Sequence, residues 1–114
     1  MKNTRKLLET SKSFELKELI SYAKNSIVSR TVAERKTGTL TVFAFDKDQG
    51  LSEHSAPFDA IVQVIDGTGE FIIGGKPLKA SSGQILIMPA KVPHAVKAVK
   101  KFKMLLTMIR SENI

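Results

Sequence analysis

The 114 residues contain no cysteine, which excludes disulfides, thiolate metal sites and a cysteine nucleophile. Tryptophan is absent and tyrosine occurs once, at Tyr22; the six phenylalanines sit mostly inside apolar runs. No stretch is apolar for long enough to span a bilayer. The amino terminus, MKNTRKLLETSKSFELKELI, is basic but turns polar within a few positions, so it lacks the apolar centre of a signal peptide. The expectation is a cytoplasmic protein with no membrane partner. Walker loops, G-x-G-x-x-G, G-x-S-x-G and H-E-x-x-H are all missing. Histidine is scarce, with only His54 and His94.

Acidic residues are outnumbered, 11 against 18 lysines and arginines, giving a formal net charge of +7. The lysines concentrate in KNTRK at residues 2–6 and KAVKKFK at residues 97–103. A nucleic-acid binder with this surplus would add stacking aromatics or a recognisable module. Neither is present, so the lysines read as a solvated, solubilising face and no nucleic-acid partner is expected.

With 42% hydrophobic and 25% charged residues, the chain has the composition of one globular domain. Residues 1–12 are polar and unpatterned, as in a loose terminus or an arm reaching a partner. From Ser13, a candidate N-cap, FELKELISYA spaces Leu16, Leu19, Ile20 and Ala23 as one short amphipathic helix would. Residues 1–25 are therefore expected to form an arm with a short helical or irregular segment, and residues 26–114 the folded domain. In that domain seven β-rich runs follow one another: SIVSRTVAE, TLTVFAF, AIVQVI, EFIIG, QILIMPA, HAVKAV and FKMLLTMI. They are separated by KTG, DKDQG, DGTG, GGK and SSG, with GTG and GG suited to hairpin turns. Short strands without intervening helices predict an all-β fold, an antiparallel sandwich or barrel.

Two runs, ILIM and MLLTMI, are apolar at consecutive positions instead of alternating. A strand apolar on both faces needs cover on both. A homodimer is the expected source of that cover, with two-layer packing inside the chain able to supply part of it.

Two patterns in the sequence resemble those of the cupin family of small jelly-roll barrels. The family's first motif has a glycine, His-x-His, a glutamate after three or four residues and a further glycine. Here His54 matches the first histidine, Ala56 stands at the second, Ala60 falls at the glutamate, and Gly67 closes the motif; Gly50 lies nearer His54 than the pattern has it. The second motif runs from glycine through proline and glycine to histidine and asparagine. Gly83, Pro89 and His94 match it, while Lys91 replaces the second glycine and Ala98 the asparagine. The resemblance covers about Ser26 to Ile109 and implies a cupin-type jelly-roll β-barrel.

Metal-binding cupins use both histidines and the glutamate of the first motif with the histidine of the second. Of those positions the resemblance leaves His54 and His94 here. Two neutral imidazoles fall short of the three or four donors that usually hold a catalytic divalent ion. With water or a ligand completing the shell, the pair could take nickel, zinc, manganese or iron. By strand alternation Ala56 shares the face of His54 and Ala98 that of His94, whereas Glu53, Asp59 and Gln63 have the wrong parity to join them. The replaced positions become methyl groups, and the resulting pocket, with His54, Ala56, Phe58, Ala60 and His94 as candidate lining, suits an organic ligand. Met88, Met104 and Met108 read as adaptable core filler. Phe58 is read either as a plug at the barrel mouth or as a ligand contact.

The favoured expectation is a small-molecule-binding barrel of unknown ligand, anchored by two histidines. The alternatives are a metal-dependent isomerase or dioxygenase acting on a sugar or small organic acid, metal-free acid–base catalysis, and a dimer whose cavity is vestigial. The sequence leaves open whether the chain is catalytic.

Overall fold

The structure, a computed structural model, describes residues 2–110. Met1 of the expected arm and residues 111–114 of the expected barrel lie outside the described residues. Among the described residues the strands number nine: β1 (Lys2–Arg5), β2 (Ile27–Arg35), β3 (Gly38–Phe45), β4 (Gly50–His54), β5 (Phe58–Ile73), β6 (Lys76–Ser81), β7 (Ile85–Met88), β8 (His94–Lys97) and β9 (Phe102–Arg110). The architecture is all-β, as the strand and turn pattern predicts, and is the jelly-roll barrel that the resemblance implies.

Pairing closes the strands into two facing layers that share β5. One layer runs β1-β2-β3-β9-β5-β7 and the other β6-β5-β8-β4. The expected runs AIVQVI and EFIIG are thus halves of one 16-residue strand, and DGTG is no hairpin. The strand bends there. Its register against β9 shifts between Val64 and Asp66, and Gly67 takes a φ of 72°. A side chain at Gly69 would place Cβ 2.6 Å from the Phe102 ring, so glycine is what lets that ring lie against the bend. Gly74 and Gly75, at φ of 57° and 81°, do form the tight turn expected of them, between β5 and β6.

Alternation along the strands builds the core. Val62, Val64 and Phe71 of β5, Phe45 of β3, Val96 of β8 and Phe102 and Met104 of β9 are buried between the layers. Phe45 and Phe102 stack with ring centroids 4.7 Å apart, and Phe71 meets Phe102 edge-on at 5.9 Å.

The amino-terminal segment departs from the expected loose arm with a helix. Lys2–Arg5 pairs in parallel with Val28–Thr31, and Ser29 Oγ, buried, donates to Asn3 Oδ1 at 2.8 Å. The expected helix shrinks to one 3-10 turn at Leu16–Leu19, entered through Glu15 without a side-chain cap. The segment is a strap. Leu8, Leu19, Ile20 and Tyr22 pack on Val32, Val42, Ala44 and Leu105, the outward face of β2, β3 and β9. This accounts for half of the consecutive apolar run in β9: Met104 faces the core and Leu105 the strap.

Tyr22 fastens the strap. Its hydroxyl donates to Asp66 Oδ2 at 2.6 Å, beside the β5 register shift. Burial, and then the neighbouring Asp66 carboxylate, push the phenol well above its ordinary range. Lys101 and Lys103 lie over the ring, with Nζ 4.9 and 5.0 Å from its centroid, and Lys103 Nζ also donates to Lys17 O at 2.8 Å. Part of the carboxy-terminal lysine cluster therefore secures the strap.

Candidate functional site

Strands β4 and β8 bring the two histidines together. Leu51 pairs with Val96, and after an irregularity His54 pairs with His94. Residues three apart on a regular strand point to opposite faces; the irregularity re-aims the chain so that Leu51 and His54 both face inward. The imidazole centroids are 4.4 Å apart with planes at 69°. His94 is buried, at 5% exposure, whereas His54 is exposed at the rim.

Each ring is oriented by the backbone two residues before it. His54 Nδ1 lies 2.8 Å from Ser52 O, and His94 Nδ1 lies 3.2 Å from Val92 O. A carbonyl only accepts, so both Nδ1 atoms carry a proton, and Nε2 is the nitrogen that holds the lone pair in the neutral form of each ring. Burial holds the His94 imidazole below its ordinary range; the Val92 carbonyl works against that shift, and His54 adds to it. His94 is thus neutral near pH 7, with Nε2 as an acceptor.

The pair borders a cavity of about 210 Å³ lined by His54, Ala56, Phe58, Ala60 and His94 together with Leu51, Met88, Val96, Met104, Leu106 and Met108. All five residues singled out from the sequence thus meet in one place. Ala60 pairs with Met88 on one side and Met108 on the other, so thioethers flank the site of the missing carboxylate. The methionines read as filler line the cavity, although Met88 and Met104 also belong to the core. No pattern in the sequence separated them or Leu51, Val96 and Leu106 from ordinary core, because a strand residue facing a cavity and one facing a packed interior follow the same alternation. Ala98, buried in the core, does not reach the cavity. Phe58 lines the cavity with the Arg110 guanidinium 5.6 Å from its ring centroid.

The carboxylates face elsewhere. Asp59 Oδ1 accepts the Ala90 N–H at 2.9 Å, and Glu53 is exposed outside the cavity. Among the described residues no group of three or more histidines, aspartates and glutamates is placed to hold a metal ion. Two imidazole nitrogens in a cavity otherwise bounded by methyl, methylene, aromatic and thioether groups do not fit the oxygen- and nitrogen-rich shell of a divalent catalytic ion.

Lys91, at the glycine position, has φ of 67°, in the left-handed region, and its N–H donates to Ala56 O at 2.8 Å. Three larger hollows, of about 520, 340 and 270 Å³, open on the surface and contain neither histidine. No helix among the described residues is long and apolar enough to cross a membrane.

The pattern of the Cupin domain family matches residues 41–110, which contain both histidines and the whole cavity lining. Among solved structures, a conserved protein of unknown function from Streptococcus pyogenes is 34% identical, with 95% of each chain covered and a TM-score of 0.87. A cupin 2 conserved barrel domain protein from Leptotrichia buccalis is 38% identical with a TM-score of 0.83; the match takes in 85% of this chain but 47% of that longer one. An RmlC-like cupin protein from Desulfovibrio desulfuricans is 31% identical over 86% of this chain and 95% of that one, with a TM-score of 0.74. No curated protein matches the sequence significantly.

Proposed function

The chain belongs to the cupin family, and we propose that its barrel binds a small, largely apolar organic molecule through the Nε2 atoms of His54 and His94. The observation that carries this reading is the pairing of two imidazoles whose Nδ1 atoms are spent on backbone carbonyls, in a cavity with no other polar side chain on its lining. Convergent polar groups in an apolar pocket favour a ligand that is apolar in body and polar at one end.

The chemistry of the pair narrows the ligand. With Nδ1 donating to a carbonyl, Nε2 is the nitrogen left to accept a hydrogen bond, so the matching group is a donor such as a hydroxyl. An apolar cavity of about 150 Å³ holds benzene. The cavity here, at about 210 Å³, has room for one ring with one or two small substituents. A hydroxylated ring placed among Phe58, Met88 and Met108 would set its hydroxyls toward the histidines.

The reading is tested with catechol and its dimethyl ether, which share a ring but differ in donors. Catechol is expected to raise the melting temperature of the wild-type chain and to lose that effect in His54→Ala/His94→Ala, while the ether has little effect on either. Equal stabilisation by both compounds, or by catechol in wild type and variant alike, would remove the histidines from the role. The metal-dependent alternative needs protein donors beyond two imidazoles, and no feature of the cavity supplies them.

A further inference from the structure

We infer that the cavity takes one copper(I) ion, held between the imidazoles of His54 and His94 and the thioethers of Met88 and Met108. Both histidines and three of the four methionines of this cysteine-free chain line this one cavity. The two kinds of donor come from opposite layers. His54 and His94 are paired on β4 and β8, whereas Met88 and Met108 lie on β7 and β9, on either side of Ala60 in β5. Cross-strand partners share a face of the sheet, so both thioether chains leave on the side of the Ala60 methyl. At roughly 4.8 Å per strand their backbones are about 10 Å apart, and the alanine between them fills little of that width. Methionine has three rotatable bonds, which lets each sulfur turn in over the alanine. Met104, on the same face of β9, puts a third thioether on the lining.

The donor set selects the ion. A divalent catalytic ion asks for oxygen and nitrogen donors, and thioethers do not count towards it; copper(I) takes thioether sulfur readily, and imidazole nitrogen suits copper as well. Where the family's pattern has a glutamate, Ala60 offers no oxygen and the groups beside it are sulfur. Charge acts in the same direction. Imidazole and thioether coordinate as neutral groups, and among the described residues no carboxylate lines the cavity to offset a double positive charge. A single charge loses far less hydration on entering an apolar site. Each Nδ1 is engaged by a carbonyl, which leaves Nε2 as the nitrogen for the ion. The exposed ring of His54 at the rim gives the ion its way in, with the buried ring of His94 4.4 Å away. The inference goes beyond the organic ligand but rests on the same Nε2 lone pairs, so ion and catechol compete for them.

The test titrates untagged protein with copper(I), without oxygen, against a coloured copper(I) chelator. The wild-type chain is expected to hold one ion, and Met88→Leu/Met108→Leu to hold it at least about tenfold more weakly. Leucine keeps the volume and apolarity of methionine, so that variant should retain its fold and the rise in melting temperature with catechol. His54→Ala/His94→Ala should lose both responses. X-ray absorption at the copper edge is expected to show sulfur beside nitrogen in the first shell of the wild-type complex. No copper(I) on the wild-type chain, equal affinity in the methionine variant, or a shell without sulfur would each overturn the assignment. If the methionine variant does not fold, the absorption spectrum of the wild-type complex decides alone. Copper(I) binding without any effect of catechol supports the ion site and overturns the organic reading; catechol binding without copper(I) does the reverse.

Discussion

His54 and His94 lie opposite each other on β4 and β8, their rings 4.4 Å apart, each with Nδ1 turned to the carbonyl two residues before it. The same local geometry at two positions far apart in sequence leaves two like acceptors side by side. They differ in exposure: His94 is buried and His54 lies exposed.

His94 is the group whose proton affinity folding changes. Its folded value is held below the ordinary 6.5, mainly by burial. As pH falls, the unfolded chain therefore takes up the proton first. Stability is full above about pH 6.5 and is lost as pH falls from there towards the lower folded value. Urea unfolding between pH 7.5 and 5 should show this decline, and His94→Gln should flatten it. Catechol affinity should hold over that interval and fall only at lower pH, where the folded His94 takes up its proton and the acceptor is lost.

Restoring the family's ligand set should create what the cavity lacks. Ala56 and Ala60 already line the cavity with both histidines. Ala56→His/Ala60→Glu is expected to bind about one zinc or nickel ion per chain by plasma mass spectrometry, since four donors then converge. Metal no greater than in the wild type would mean that these positions do not point to a common centre.

Lys91 holds a left-handed conformation that glycine adopts without steric cost. Lys91→Gly removes a strain of roughly 1–2 kcal/mol, partly offset by the roughly 0.5–1 kcal/mol of extra backbone entropy that glycine loses on folding. The net expectation is a gain of about 0.5 kcal/mol in urea unfolding, with Lys91→Ala giving none. A loss of stability in Lys91→Gly would point to a packing role for the lysine side chain.

Tyr22→Phe removes the hydroxyl bond to Asp66 and keeps the ring under Lys101 and Lys103. The expected loss is about 1 kcal/mol. Hydrogen exchange should quicken in β1 and the strap before the barrel. Uniform quickening would mean that strap and barrel open as one unit.

The barrel was legible in the sequence because alternation and turn glycines are local signals, and the histidines, Ala56 and Ala60 because motif spacing fixes register. What escaped was set by long-range contact. The strap's Leu8, Leu19, Ile20 and Tyr22 are spaced to meet the outward sheet face, so a helical period described them poorly. Strand β1, KNTR, carries no apolar residue; its pairing and the Ser29–Asn3 bond hold it. Strands β4 and β6, GLSEH and KPLKAS, are largely exposed and lack the apolar density that reveals a strand. The bend in β5 looked like a turn because DGTG has turn composition, while its actual task is to pass the chain from one layer to the other around Phe102.

The most direct test titrates catechol, and separately zinc, into the wild-type chain and into His54→Ala/His94→Ala by calorimetry. An organic pocket anchored by two imidazoles predicts saturable catechol binding in the wild type, at least tenfold weaker in the double variant, and no stoichiometric zinc in either. One zinc per chain lost with the two histidines, or catechol binding that is absent or indifferent to their removal, would contradict it.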